Sequence, residues 1–334
     1  MIQSNNTKPS STQPEILLAQ DLRKSYGPRA ALAGLSFSLK AGRIMGFLGP
    51  NGAGKTTAIR VLTTILEPDS GHFIVDGIGS EYPAKIRRKI GVLPENLGFP
   101  RQIMGIEYLT FFGQLYGRTA AQARTHGMEL LREVGLEQRA RSLIGTYSHG
   151  MRQRIGIARA LVNDPTVVFL DEPTLGLDPR GQQELLSLIQ RIVAERNVGV
   201  VLCSHALWEI ESVCDDVIIL MSGRVIASGS VIDVVRQTQL NALRIQVPPS
   251  LVAEARQVLE TMPDTLKVTH TDESAGLLRV DLVDSSDGAS PENIHVNNKI
   301  LEALIRSKIP ILGFEAAGGR LQDIFLKLTE ETVK

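Results

Sequence analysis

Residues 49–56 read GPNGAGKT, three glycines, a lysine and a threonine at the spacing of a phosphate cradle. Glycines let backbone N–H groups turn inward around an anion, Lys55 reaches the β- and γ-phosphates, and the Thr56 hydroxyl can ligate magnesium. Further on, PTVVFLDEP closes an apolar run with Asp171 and Glu172. A carboxylate at the end of a buried strand can hold magnesium through water, and its neighbour can orient an attacking water as general base. Each stretch alone has a bland reading, a glycine turn in one case and a solvated acidic turn in the other. Together they form the two halves of a phosphate-hydrolysing site, with Lys55 and Glu172 catalytic and Thr56 and Asp171 at the metal.

The elements needed to position these groups are legible around them. RIMGFLGPNGAGKTTAIRVLTTIL runs from an apolar strand through the glycine loop into a helix. PTVVFLDEP is β-branched and too short for a helix, as expected of a strand buried on both faces. VGVVLCSHALWEIESVC repeats the plan, with Ser204 and His205 at the strand end. This alternation reaches about Val235 and predicts a layered α/β domain.

Between Glu95 and Ser148 the pattern is helical. GIEYLTFFGQLYG sets Tyr108, Phe111, Phe112, Leu115 and Tyr116 at helical spacing, either a core stripe or a groove for a partner helix. Ser148 stands where a helix N-cap is expected, before an arginine-rich run. After Gln237 strands and helices follow in the order βαββαβ, the ferredoxin-like plan, and then a helix LQDIFLKLTEE. Its Leu321, Ile324, Phe325 and Leu328 share one face, suited to packing on the domain's own sheet or to a subunit contact.

Composition narrows the classes. The chain has 334 residues, 36 Lys+Arg against 36 Asp+Glu, and 43% hydrophobic residues, which predicts a soluble intracellular protein of about two domains. Cys203 and Cys214 are too few for a metal cluster and read as buried apolar groups. Zero net charge gives no electrostatic footprint for nucleic acid. No apolar run reaches the roughly 18 to 20 residues of a membrane span. Residues 1–14 lack the apolar centre of a signal peptide and read as a disordered tail.

Taken in order, Tyr26 in RKSYG, the glycine loop, VLPEN, the Ser148 segment, Asp171-Glu172, the GLD of residues 176–178 and His205 resemble the nucleotide-binding subunit of an ABC transporter over residues 15–235. The resemblance implies an α/β P-loop NTPase of ABC type at 15–237, with a helical subdomain at about 96–147. A small α+β ferredoxin-like domain would follow at 238–334, and its DIFLKLT looks like the tail of ATPases serving ABC-2 exporters. The implied cofactors are ATP and Mg2+. Tyr26 would stack on adenine, while Gly49, Pro50, Asn51, Gly52, Ala53, Gly54, Lys55, Thr56 and Thr57 would cradle the phosphates. Glu95, where most relatives carry Gln, would approach the magnesium, and His205 would touch the γ-phosphate.

In this family two subunits meet head to tail, so Ser148 and Gly150 would close the partner's ATP site, and Asp178, in the family's D-loop, would join the nucleotide-binding groups. The signature departs from the common LSGGQ at Tyr147, His149 and Met151, yet Ser148 and Gly150 remain. The function so implied is an ATP-hydrolysing motor for a separately encoded membrane permease, serving export. The expected partners are that permease and a second ATPase subunit, with no nucleic acid, and the expected place is the cytoplasmic face of the membrane, peripheral through the permease. The alternatives are an importer subunit, whose relatives tend to carry a C-terminal barrel, or a soluble ABC ATPase acting on ribosomes or DNA. The latter carry two nucleotide domains or a long coiled coil, and neither pattern is read here.

Overall fold

The computed structural model describes residues 14–95, 98–237, 242–262, 265–272, 275–282, 291–317, 321, 322 and 325. The expected disordered tail, apart from Pro14, and most of the expected last helix, including Ile324 and Leu328, lie outside them. The chain divides into two compact units between Gly229 and Ser230.

In chain order the first unit runs β1 (Glu15–Tyr26), β2 (Arg29–Lys40), β3 (Ile44–Leu48), α1 (Lys55–Leu62), β4 (Ser70–Val75), β5 (Ile78–Gly79), α2 (Pro83–Ile86) and β6 (Ile90–Leu93). It continues through α3 (Gly105–Leu115), α4 (Ala120–Glu133), α5 (His149–Ala160), β7 (Val167–Asp171), α6 (Pro179–Arg196), β8 (Gly199–Ser204), α7 (Leu207–Val213), β9 (Asp216–Met221) and β10 (Arg224–Ser230). Its larger sheet has the order β10-β9-β3-β8-β7-β6. The pairs β9-β3, β3-β8, β8-β7 and β7-β6 are parallel. Every residue of β3, β7 and β8 is buried, which is why these strands read as unbroken apolar runs instead of alternating. A second sheet, β2-β1-β4-β5, is antiparallel. Phe47, Phe73 and Phe169 are fully buried in the core shared with Leu17, Leu35 and Leu62. At the start of β3, Arg43 donates bidentately to Asp216 at 2.8 and 2.9 Å, which pins that end of the strand to β9.

Residues 98–147 hold α3, α4 and two short 3-10 turns at Glu137–Arg139 and Ile144–Thr146. Thr119 caps α4 reciprocally with Gln122, whose backbone N–H it accepts at 3.3 Å. The aromatic stripe on α3 divides. Tyr108 is buried, edge-to-face with Phe99 and Phe112, whereas Phe111, Leu115 and Tyr116 are exposed. The inward side of α3 is instead Ile106, Tyr108, Leu109 and Gly113, with Gly113 set against Ala123 of α4.

The second unit begins earlier than Gln237. Ser230 already starts a helix, α8 (Val231–Gln237), by accepting the Asp233 N–H at 3.0 Å, and Val231 and Val234 are buried. It continues with β11 (Ala242–Gln246), α9 (Val252–Glu260), β12 (Thr265–Asp272), β13 (Leu277–Leu282), α10 (Pro291–Arg306) and β14 (Gly313–Ala317). The sheet order is β12-β13-β11-β14 with antiparallel neighbours throughout. That order, reached through two helical crossovers, is the ferredoxin-like topology. Leu243, Ile245, Leu278 and Val280 of the sheet are buried against Ala255, Leu259, Ile300 and Leu304, a core separate from that of the first unit.

Candidate active site

Four adjacent strands of the parallel sheet deliver the site. The carboxyl ends of β3, β8, β7 and β6 lead directly to the glycine loop, Ser204-His205, Asp171-Glu172 and Glu95. Ligand sites of open parallel sheets belong at this edge.

The glycine loop takes backbone shapes that a side chain would prevent. Gly49 and Gly54 have φ of 155° and 113°. A Cβ on Gly49 would meet the Leu220 carbonyl at 2.2 Å, and one on Gly54 the Ala31 carbonyl at 2.4 Å. Gly54 is the left-handed N-cap of α1, with no side chain over the helix's free N–H groups, so these and the positive end of the dipole face the loop. Lys55 lies buried and donates to the Gly49 and Pro50 carbonyls at 2.6 and 3.3 Å. Its ammonium therefore closes the loop on itself.

Opposite stand the carboxylates. Glu172 is held with φ of 49°, a left-handed conformation uncommon for a residue with a side chain, while its N–H donates to the Cys203 carbonyl at 3.0 Å. Its carboxylate meets His205, whose Nδ1 lies 2.9 Å from Oε2. Asp171 is buried, and that burial, with Glu95 and Glu172 close by, pushes its carboxyl up to about 6 despite the nearby Lys55 and Arg60. An excess of negative charge at a buried carboxylate fits a divalent cation. Among the described residues no three His, Cys, Asp or Glu side chains form a metal cage, so the protein would offer only Asp171, Glu95 and the Thr56 hydroxyl, in keeping with magnesium held largely by phosphate and water.

Tyr26, Asn51, Gly52, Ala53, Gly54, Lys55, Thr56, Thr57, Glu95, Glu172 and His205 line a single cavity of about 450 Å³. Three residues that the sequence did not single out join them: Arg29, Ala31 and Leu175. Arg29 lies three positions after Tyr26 and donates to the Gly52 carbonyl at 3.3 Å, and its one sequence signal was its nearness to the aromatic.

Ser148, Gly150 and Asp178 lie elsewhere in the same unit, around a second depression with Gly176 and Leu177. Ser148 caps α5, accepting the Met151 N–H at 3.3 Å, and Asp178 caps α6, accepting the Gly181 N–H at 3.0 Å. The unusual signature residues have local explanations. Tyr147 is buried and donates its hydroxyl to the Arg139 carbonyl at 2.8 Å. His149 donates from Nε2 to the Leu175 carbonyl at 2.7 Å, joining the signature to the loop that follows Glu172.

A parallel sheet with a glycine cradle at one strand end and an acidic pair at another defines a P-loop NTPase. Known proteins place it further. The family model for ABC transporter matches residues 32–175. The linearmycin resistance ATP-binding protein LnrL of Bacillus subtilis is 33% identical over 323 residues, covering 96% of this chain and all of that protein. The daunorubicin/doxorubicin resistance ATP-binding protein DrrA of Streptomyces peucetius is 34% identical over 324 residues, 96% of this chain and 94% of that one. A solved ATP-binding subunit of an ABC transporter superposes with a TM-score of 0.60 at 32% identity, over 66% of this chain and 92% of that structure. The chain belongs to the ATP-binding proteins of ABC transporters and is an ATPase.

Proposed function

We propose that this chain is the motor of an exporter, working as a head-to-tail dimer on a separate integral membrane permease at the cytoplasmic face. The observation that carries the catalytic part is the Glu172–His205 contact at 2.9 Å, set at the strand edge that also bears Lys55. In this reading Tyr26 stacks on adenine, and the 49–57 loop with the start of α1 holds the phosphates. Mg2+, held by Thr56, Asp171 and Glu95, would neutralise charge on the phosphates. Glu172 takes a proton from the attacking water, and His205 orients that carboxylate and faces the γ-phosphate. Ser148 and Gly150, at the positive end of α5, would meet the γ-phosphate of the other subunit, with Asp178 beside them.

Among the described residues no helix is long and apolar enough to cross a membrane, and in this reading the passage belongs to the permease. Export is favoured over import because LnrL and DrrA, matched nearly end to end, are named for antibiotic resistance, and because the second unit folds as a ferredoxin-like sheet instead of a barrel. An antibiotic is the substrate class that their names suggest. The domain reading is an ATPase domain followed by an accessory domain, the chain committing to the latter at Ser230.

Affinity capture of the full chain from detergent-solubilised membranes of the cell that makes it tests the partnership. A polytopic membrane protein should co-purify and raise the ATPase rate. Recovery with ribosomes or DNA, or from the soluble fraction alone, would defeat the transport reading.

A further inference from the structure

The loops after β7 and β8 carry Glu172 and His205, and both are tied to one buried group that neither the motifs nor the catalytic roles include. Glu209, in α7, is 2% exposed. Its Oε1 accepts the Thr174 hydroxyl at 2.6 Å and its Oε2 accepts the Ser204 hydroxyl at 2.7 Å. The Ser204 oxygen in turn accepts the Ala206 N–H at 2.9 Å, so the backbone on both sides of His205 is fixed. Thr174 is itself buried and follows Glu172 by two positions.

A buried carboxylate met by neutral hydroxyls is a costly way to fill space, since an apolar side chain would avoid its desolvation. What it supplies is geometry, because two short bonds to one rigid carboxylate set the separation of the two loops. Glu172 needs that help, since its left-handed backbone persists only where the surroundings hold it.

We propose that Glu209 is a positioning residue for hydrolysis, its carboxylate bracing the Thr174 and Ser204 segments so that Glu172 and His205 stay in contact. The inference rests on the reading of Glu172 and His205 as the hydrolytic pair. Glu209 lies outside the nucleotide cavity, so loss of the brace should lower kcat while ATP binding is kept.

The test uses the full chain with Mg-ATP and compares Glu209→Gln, Thr174→Val, Thr174→Ser and Ser204→Ala, with Glu172→Gln and His205→Ala as controls. Thr174→Val keeps the shape and loses the donor, and Thr174→Ser restores it. The expected result is a kcat lowered roughly 10- to 100-fold for Glu209→Gln, Thr174→Val and Ser204→Ala, with ATP affinity within about twofold and Thr174→Ser close to wild type. If Glu209→Gln fails to fold, the Thr174 pair and Ser204→Ala carry the test, each checked by its melting temperature. Folded Thr174→Val and Ser204→Ala proteins that turn over as the wild type does would overturn the brace. Wild-type turnover in the two controls would instead remove the hydrolytic pair, and the inference with it.

Discussion

The phosphate-loop edge and the signature edge of the first unit are built in opposite ways. At the phosphate loop the groups are tightly tied: Gly49 and Gly54 in positive-φ conformations that glycine permits, buried Lys55 closing on its own loop, Glu172 in a left-handed turn braced on β8. At the signature Ser148 and Asp178 are exposed helix caps, each side chain with a single bond to its own helix. Preorganisation at the first edge suits chemistry, where reacting groups must be held before the substrate arrives. The open helix start at the second suits recognition of an anion brought from outside. In the proposed head-to-tail dimer the first edge would supply the catalyst and the second its lid.

That contrast is sharpened most strongly by removing the base. Glu172→Gln should lower ATP turnover by about 10²- to 10⁴-fold with ATP affinity nearly unchanged, measured by phosphate release and calorimetry. A variant turning over at the wild-type rate would move the chemistry elsewhere. Lys55→Ala should weaken ATP binding roughly 10- to 100-fold, the worth of a lost charge-assisted contact, and calorimetry at unchanged affinity would break the cradle assignment.

Asp171 tests the charge imbalance through pH. In the folded, nucleotide- and magnesium-free chain it keeps its proton up to about 6, against an ordinary value of 3.8. Between those values the folded chain binds more protons than the unfolded one, so Asp171 makes stability fall as pH rises, with its full cost present above about 6. Asp171→Asn should therefore be more stable than wild type at pH 7 to 8, with the difference fading below about pH 4. Equal urea midpoints at neutral pH would contradict this. The smallest effect is expected from truncation after Gly229: every group in the nucleotide cavity lies before it, so ATP affinity should stay within about twofold. A larger loss would give the second unit a part in nucleotide binding.

Much of the first edge was legible because its chemistry is written in contiguous motifs at strand ends. Lys55, Asp171, Glu172 and His205 each follow a short apolar run, and a parallel sheet brings such ends together. Glu209 was not legible: it sits four residues after His205 on a helix, and only the fold shows that Thr174 comes to the same carboxylate. The His149–Leu175 bond was hidden for the same reason. The stripe on α3 misled because helical spacing tells which residues share a face but not how far around the helix its neighbours reach, so Phe111 and Tyr116 are exposed while Tyr108 is buried. In the C-terminal region the order of elements sufficed for the topology, whereas the boundary depended on the small cap at Ser230.

In the proposed dimer the open signature edge completes the nucleotide site of a second copy. Sedimentation with ATP of Glu172→Gln proteins that also carry Lys55→Ala or Ser148→Arg tests it most directly. Neither doubly substituted protein should form an ATP-held dimer alone, and an equal mixture should, because the mixed pair has one site with both halves intact. A Ser148→Arg double variant that dimerises alone as tightly as its Glu172→Gln parent would contradict the claim.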